Sequence, residues 1–153
     1  MKDDEPDVLE MLARHELALK QLYELFAAQF AHRQDFWQGL ARDEQRHADA
    51  LGTLRSDPAA IAWLAKDSGL KPQAIKSSIG YVESQIARAR GGTLNPLQAL
   101  AIARDLESAL IEKQFSRLSG SAPAEIRKVV TVLATETERH HKGIVDAIHA
   151  EKR

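Results

Sequence analysis

The residues Leu40–Leu51, LARDEQRHADAL, constrain this chain more than any other stretch. Phe36, Trp37, Leu40 and Leu51 recur at the spacing of one helix face, and Glu44 and His47 fall on that same face. A carboxylate and an imidazole are thus set into the middle of an apolar stripe. An ionised carboxylate left unpaired in a core costs several kcal/mol, so its charge requires a partner. A metal ion suits these two residue types, because carboxylate oxygens and imidazole nitrogens bind Fe, Mn or Zn.

The rest of the composition narrows the setting. At 153 residues and 44% hydrophobic content, the chain is expected to form one domain over residues 1–153 with a sizeable core. Ala, Leu, Glu, Arg and Gln dominate, and β-branched runs are short, which favours an all-α fold. Lys+Arg total 21 against 22 Asp+Glu, so no basic field points to nucleic acid or to an anionic membrane surface. The absence of Cys excludes disulfides, thiolate zinc sites, iron–sulfur clusters and cysteine nucleophiles. No apolar run approaches the roughly 20 residues of a membrane span. The acidic start MKDDEPD is unlike a signal peptide, so the expected compartment is the cytoplasm.

Residues 1–7 read as a charged lead-in. A first long helix is predicted over 8–32, with Leu9, Leu12, Leu19, Tyr23, Ala27 and Phe30 inward, Glu16 at the centre of that stripe and Glu24 off it. A short turn makes the second helix, 35–55, its antiparallel neighbour. The following connection is too long for a structureless loop. Asp57-Pro58 opens a helix over 58–67 before Gly69, and a second helix follows Pro72 over 72–90. Trp63 and Tyr81 on these crossover helices are assigned to packing. Asn95-Pro96 opens a third long helix, 95–118, with Leu100, Ala103, Leu110, Ile111 and Leu118 inward, Glu107 central and Glu112 pointing away. A fourth is predicted over 123–150, with Ile126, Val129, Val130, Leu133, Ile144 and Ile148 inward. Met1 and Met11 are placed outside the core. Short, long and short connections between four helices describe a four-helix bundle with one crossover.

The two halves repeat. LARDEQRHADAL at 40–51 aligns without gaps on LATETERHHKGI at 133–144, matching Asp43 with Glu136 and Arg46-His47 with Arg139-His140. Each half then offers a central Glu on its first helix, Glu16 or Glu107, and a His on its second, His47 or His140. A Glu from each of two helices and a Glu-x-x-His from each of the other two is the arrangement of dinuclear carboxylate sites in bundle cores.

These residues carry a resemblance. Glu16 with Tyr23 seven residues on, Glu44-x-x-His47, Leu106-Glu107-Ser108 and Arg139-His140 together resemble the rubrerythrin branch of the ferritin-like superfamily. The resemblance spans roughly residues 8–150. It implies a ferritin-like four-helix bundle with a long helical crossover between its second and third helices. It also implies two iron ions, or Mn or Zn, held by Glu16, Glu44, His47, Glu107 and His140, with peroxide or O₂ as the oxidant of Fe(II). Glu44 is expected to bridge, Glu16 and Glu107 to be terminal ligands, and Tyr23 to donate a hydrogen bond to a ligating Glu. A homodimer and an external electron donor are the expected partners, since a rubredoxin domain cannot exist without Cys.

One departure bears on the site. The position equivalent to Glu44 is Thr137, so a bridging carboxylate of the pattern is missing. Glu136, one turn before His140, is the expected substitute if a π-bulge turns it inward, while Glu138 and His141 are placed nearer the surface. His15, His32 and His149 are assigned structural or solvent-facing roles. Thr137 is also the feature that favours a competing reading, a non-catalytic bundle used for metal sequestration or protein association.

Overall fold

The computed structural model describes residues 7–153, together with every side chain in that range except Leu110, and each regular element in it is helical. The charged lead-in predicted over residues 1–7 therefore falls outside the described residues apart from Asp7. That residue caps the first helix, α1 (Val8–Gln29), by accepting from Glu10 N at 2.9 Å. The chain turns through a short 3₁₀ segment, Ala31–Arg33, into α2 (Gln34–Gly52). Arg33 Nε donates to Glu151 at 2.9 Å, which pins this turn to the far end of the chain.

The long connection is helical, as its caps predict. Asp57 accepts from Ala59 N and Ala60 N to start α3 (Pro58–Lys66), and Gly69 takes the left-handed conformation, φ +78°, that ends this segment. The crossover continues as α4 (Pro72–Arg90). Asn95 and Gln98 form a reciprocal capping box at the start of α5 (Pro96–Glu107). After α6 (Leu110–Ser119), the chain closes with α7 (Ala124–Lys152).

The helices pack as an all-α bundle in which α1 lies along α2 and α4, α5 and α6 both lie along α7, and α2 meets α7. Its apolar interior is divided into two bodies. One gathers Leu19 to Phe30 of α1 and the turn after it, Trp37 to Ala41 of α2, the α5 stripe, and Ile144 to Ile148 of α7. Trp37 stacks within it against Tyr23 and Phe26, at ring separations of 5.7 and 4.8 Å. The other gathers Val8 to Leu12 of α1, Leu51, α3, α6 and Ile126 to Leu133 of α7. Between them, α1, α2 and α7 each carry buried polar residues on their inward faces: Glu16, Glu44 with His47, and Thr137 with His140.

Four expectations need correction. The single helix predicted over 95–118 is two helices, broken at Ser108–Ala109. Ser108 Oγ donates to the Arg104 carbonyl at 2.9 Å, and Ala109 is extended (φ −67°, ψ 162°), so the helical ladder ends and restarts. Glu112, expected to point away, is buried as a result. Tyr81 is exposed on α4 rather than packed, and Met11 is part of the core. Among the described residues no helix is long and apolar enough to cross a membrane.

The capping box makes a direct test of local stability. Asn95→Ala removes both the side-chain acceptor and its reciprocal geometry, and is expected to lower unfolding free energy by about 1 kcal/mol in denaturant titration, without altering metal binding.

Candidate metal centre

The polar layer brings together all five residues that the sequence singled out as ligands. Glu16, Glu44, His47, Glu107 and His140 come from four helices, and all are buried. Glu44 lies in the middle. Its Oε1 is 3.0 Å from His47 Nδ1, and its Oε2 is 3.7 Å from His140 Nδ1. Glu16 Oε1 approaches His47 Nδ1 at 3.4 Å, and Glu107 Oε1 approaches His140 Nδ1 at 3.3 Å. Two ligand groups result, Glu16/Glu44/His47 and Glu44/Glu107/His140, whose offered atoms lie within 4.8 Å of one another in each group. They share Glu44, the geometry expected of a carboxylate that spans two ions. Tyr23 OH donates to Glu107 Oε2 at 2.6 Å, which fixes that carboxylate and leaves its other oxygen facing His140.

The internal repeat has a structural counterpart on the outer side of the layer. His47 Nε2 is 2.8 Å from Glu136 Oε1, and His140 Nε2 is 2.8 Å from Asp43 Oδ2. The two acids matched by the repeat thus each hold the other helix's histidine. Arg46 bonds both Asp43 and Glu136, while Arg139 reaches Asp43 at 3.0 Å. Glu136 does not turn inward, because α7 is α-helical throughout and contains no π-bulge. It orients His47 instead. An imidazole whose Nε2–H donates to an outer carboxylate presents the Nδ1 lone pair to the interior, as a metal-binding histidine must.

Two further groups were not foreseen as part of this layer. Glu112 of α6 is buried, and its Oε2 accepts from Thr137 Oγ1 at 3.3 Å. A carboxylate from α6 thus reaches the place where the α7 pattern lacks one. On an uninterrupted helix Glu107 and Glu112 would be about 140° apart; only the break at Ser108–Ala109 lets both face inward. No Gly or Pro marks that break, so the sequence carried little sign of it. His15 is buried as well, with Nδ1 3.1 Å from Glu16 Oε2 and Nε2 2.7 Å from Ser78 Oγ. His32 and His149 are exposed, as expected.

The electrostatics follow from four carboxylates in one dry layer. Burial pushes Glu44 well above the usual carboxylate range, and the negative fields of Glu107, Glu16 and Glu112 add to the rise. Glu112 is raised well above it by burial, Glu16 and Glu107. Burial acts on Glu16 in the same sense, but its bonds and field from His15 and His47 outweigh it and lower the group to about 2. Burial would neutralise His47 and His140, yet the carboxylates of Glu16 and Glu136 beside the first, and of Glu107 and Asp43 beside the second, raise both. Among the described residues no Lys or Arg is buried. Glu16 Oε1 and Glu112 Oε1 are buried without a hydrogen-bond partner.

That set of donors fits divalent first-row cations. Hard carboxylate oxygens and imidazole nitrogens match Fe, Mn and Zn, and the orphaned oxygens mark where the protein's own groups leave charge unanswered. Two divalent cations would balance Glu16, Glu44, Glu107 and Glu112 with both histidines neutral. A cavity of about 570 Å³ leads to the layer at the α5–α6 break. Glu107, Glu112 and Thr137 line its inner part, and the exposed Lys113, Arg117 and Glu138 line its outer part.

A pH dependence follows from these shifts. Folding raises Glu44 and Glu112 above 4.5, and His47 and His140 above 6.5. The folded metal-free chain therefore binds protons that the unfolded chain releases, and its stability falls as pH rises. Glu16, Asp43 and Glu136 are lowered and act oppositely, with their contribution lost in acid, from about 4.5 downward. The melting temperature of metal-free protein is expected to drop from about pH 5 to about pH 8. Saturating Mn(II) or Zn(II), which displaces those protons, should flatten or invert that slope.

Comparison with known proteins places no relative beside this geometry: no family model, no curated protein and no solved structure matches the chain.

Proposed function

We propose that this chain is a metal-binding bundle of the ferritin-like, rubrerythrin type that holds two iron ions and oxidises Fe(II) with peroxide or O₂. The observation that carries this reading is the pair of ligand groups sharing Glu44, inside a layer with four buried carboxylates and, among the described residues, no buried Lys or Arg. Two iron ions held there would supply the two electrons, and solvent the two protons, that convert one peroxide into two waters.

The residues of the chain do the rest. Glu16, Glu44 and His47 would hold one cation, and Glu44, Glu107 and His140 the other. Glu136 and Asp43 hold the histidines by their outer nitrogens, which keeps both rings in the ligating tautomer and raises their basicity. Tyr23 holds Glu107 from the apolar side. Burial and neighbouring carboxylates raise Glu44 and Glu112, so cation binding is coupled to proton release from this layer. The cavity at the α5–α6 break admits an oxidant as small as peroxide, and repeated turnover would need an external electron donor. The case for a purely degenerate bundle rested on Thr137, and Glu112 supplies a carboxylate beside that threonine.

Anaerobic titration of metal-free protein with Fe(II) is expected to show two tightly held ions per chain, and subsequent peroxide should be consumed at one molecule per two irons. Glu44→Ala should abolish paired binding and turnover. A wild-type chain that binds one iron or none tightly would overturn the reading, and two irons without peroxide consumption would favour sequestration instead. The outer pairs have their own test: Asp43→Asn should weaken cation affinity by roughly 10–100-fold while leaving the helical content of the protein unchanged.

A further inference from the structure

The polar layer extends beyond the two positions that share Glu44. His15 Nδ1 lies 3.1 Å from Glu16 Oε2 and 3.7 Å from Glu112 Oε1, forming a further group whose offered atoms are within 4.8 Å of one another. All three residues are buried, and Glu112 Oε1 has no hydrogen-bond partner. A neutral imidazole that donates Nε2–H to Ser78 Oγ turns its Nδ1 lone pair toward the two carboxylates. Glu112 and Glu107 both line the 570 Å³ cavity that leads in from solvent, so this group and the bridged pair each present one carboxylate to an entering cation.

We propose that His15, Glu16 and Glu112 form a third position for a divalent cation, a station beside the bridged pair that shares Glu16 with it. This inference rests on the two-iron reading above. Two features make the station weaker than the pair and suit it to transfer. The outer nitrogen of His15 is held by a hydroxyl, whereas those of His47 and His140 are held by carboxylates, so the His15 ring lacks the anionic outer partner of the other two. Two divalent cations already balance the four buried carboxylates, and a third enters against that balance unless hydroxide or bound anion accompanies it. Glu16 faces both sites, with Oε2 toward His15 and Oε1 toward His47, so it can pass a cation from one to the other.

The test is cation stoichiometry, measured by equilibrium dialysis of Co(II) against metal-free wild-type protein and the variants His15→Phe and His15→Ala, with folding checked by circular dichroism. Three Co(II) per wild-type chain, the third bound more weakly, and two in either folded variant with the affinities of the first two unchanged, is the expected result. Wild type and variants both at two, or both at three, would overturn the station and leave the paired centre standing. A fall from two to one would overturn it too, by making His15 a ligand of the pair. Fewer than two ions in wild type would remove the paired reading itself, an outcome distinct from all of these. Should both His15 variants fail to fold, His15→Gln, which keeps a polar side chain against Ser78 Oγ, provides the same count.

Discussion

Four carboxylates occupy one buried layer of this bundle, and among the described residues no Lys or Arg is buried to answer them. Taking even one such charge out of water costs several kcal/mol, and four together repel one another besides. In the metal-free protein this cost raises Glu44 and Glu112 toward their protonated forms, and the neighbouring carboxylates raise His47 and His140. The layer cuts an otherwise continuous apolar core into two bodies, and each body is held by its own set of interlocked side chains. Stability is thus supplied above and below the layer, which leaves the layer itself free to carry chemistry.

The outer side of the layer shows how the two halves of the chain depend on one another. In each half the acid lies four residues before the histidine, yet it bonds the histidine of the other half: Asp43 holds His140 and Glu136 holds His47. The exchange crosses between α2 and α7, so neither histidine is oriented unless both helices are in register. Arg46 and Arg139 sit over the exchange and bind the same two acids, shielding their charge from the carboxylates within. The rings of His47 and His140 stack at 5.8 Å, an arrangement that aims both Nδ1 atoms at the space around Glu44.

The break between α5 and α6 is the point where fold and site meet. It ends one helix at Glu107 and reorients the next so that Glu112, five residues on, faces the same interior. It also opens the cavity beside those two acids. One local interruption therefore provides the fourth carboxylate, its hydrogen bond to Thr137, and access from solvent.

Much of this was legible in the residues themselves. The spacing of Leu12, Glu16, Leu19 and Tyr23, and of Trp37, Leu40, Glu44, His47 and Leu51, determined which polar groups must be inward, because a helix places residues three and four apart on one face whatever it packs against. Asp57-Pro58 and Asn95-Pro96 determined where helices begin, because a cap is satisfied by its own first turn. Only the tertiary structure decided the roles of Glu112, His15 and Glu136. Glu112 depends on a helix break with no Gly or Pro to announce it; His15 depends on α4 bringing Ser78 against its ring. Glu136 depends on the pairing of α2 with α7. Periodicity reports the face a residue occupies on its own helix, while a ligand set is made of contacts between helices, and those exist only once the helices are packed.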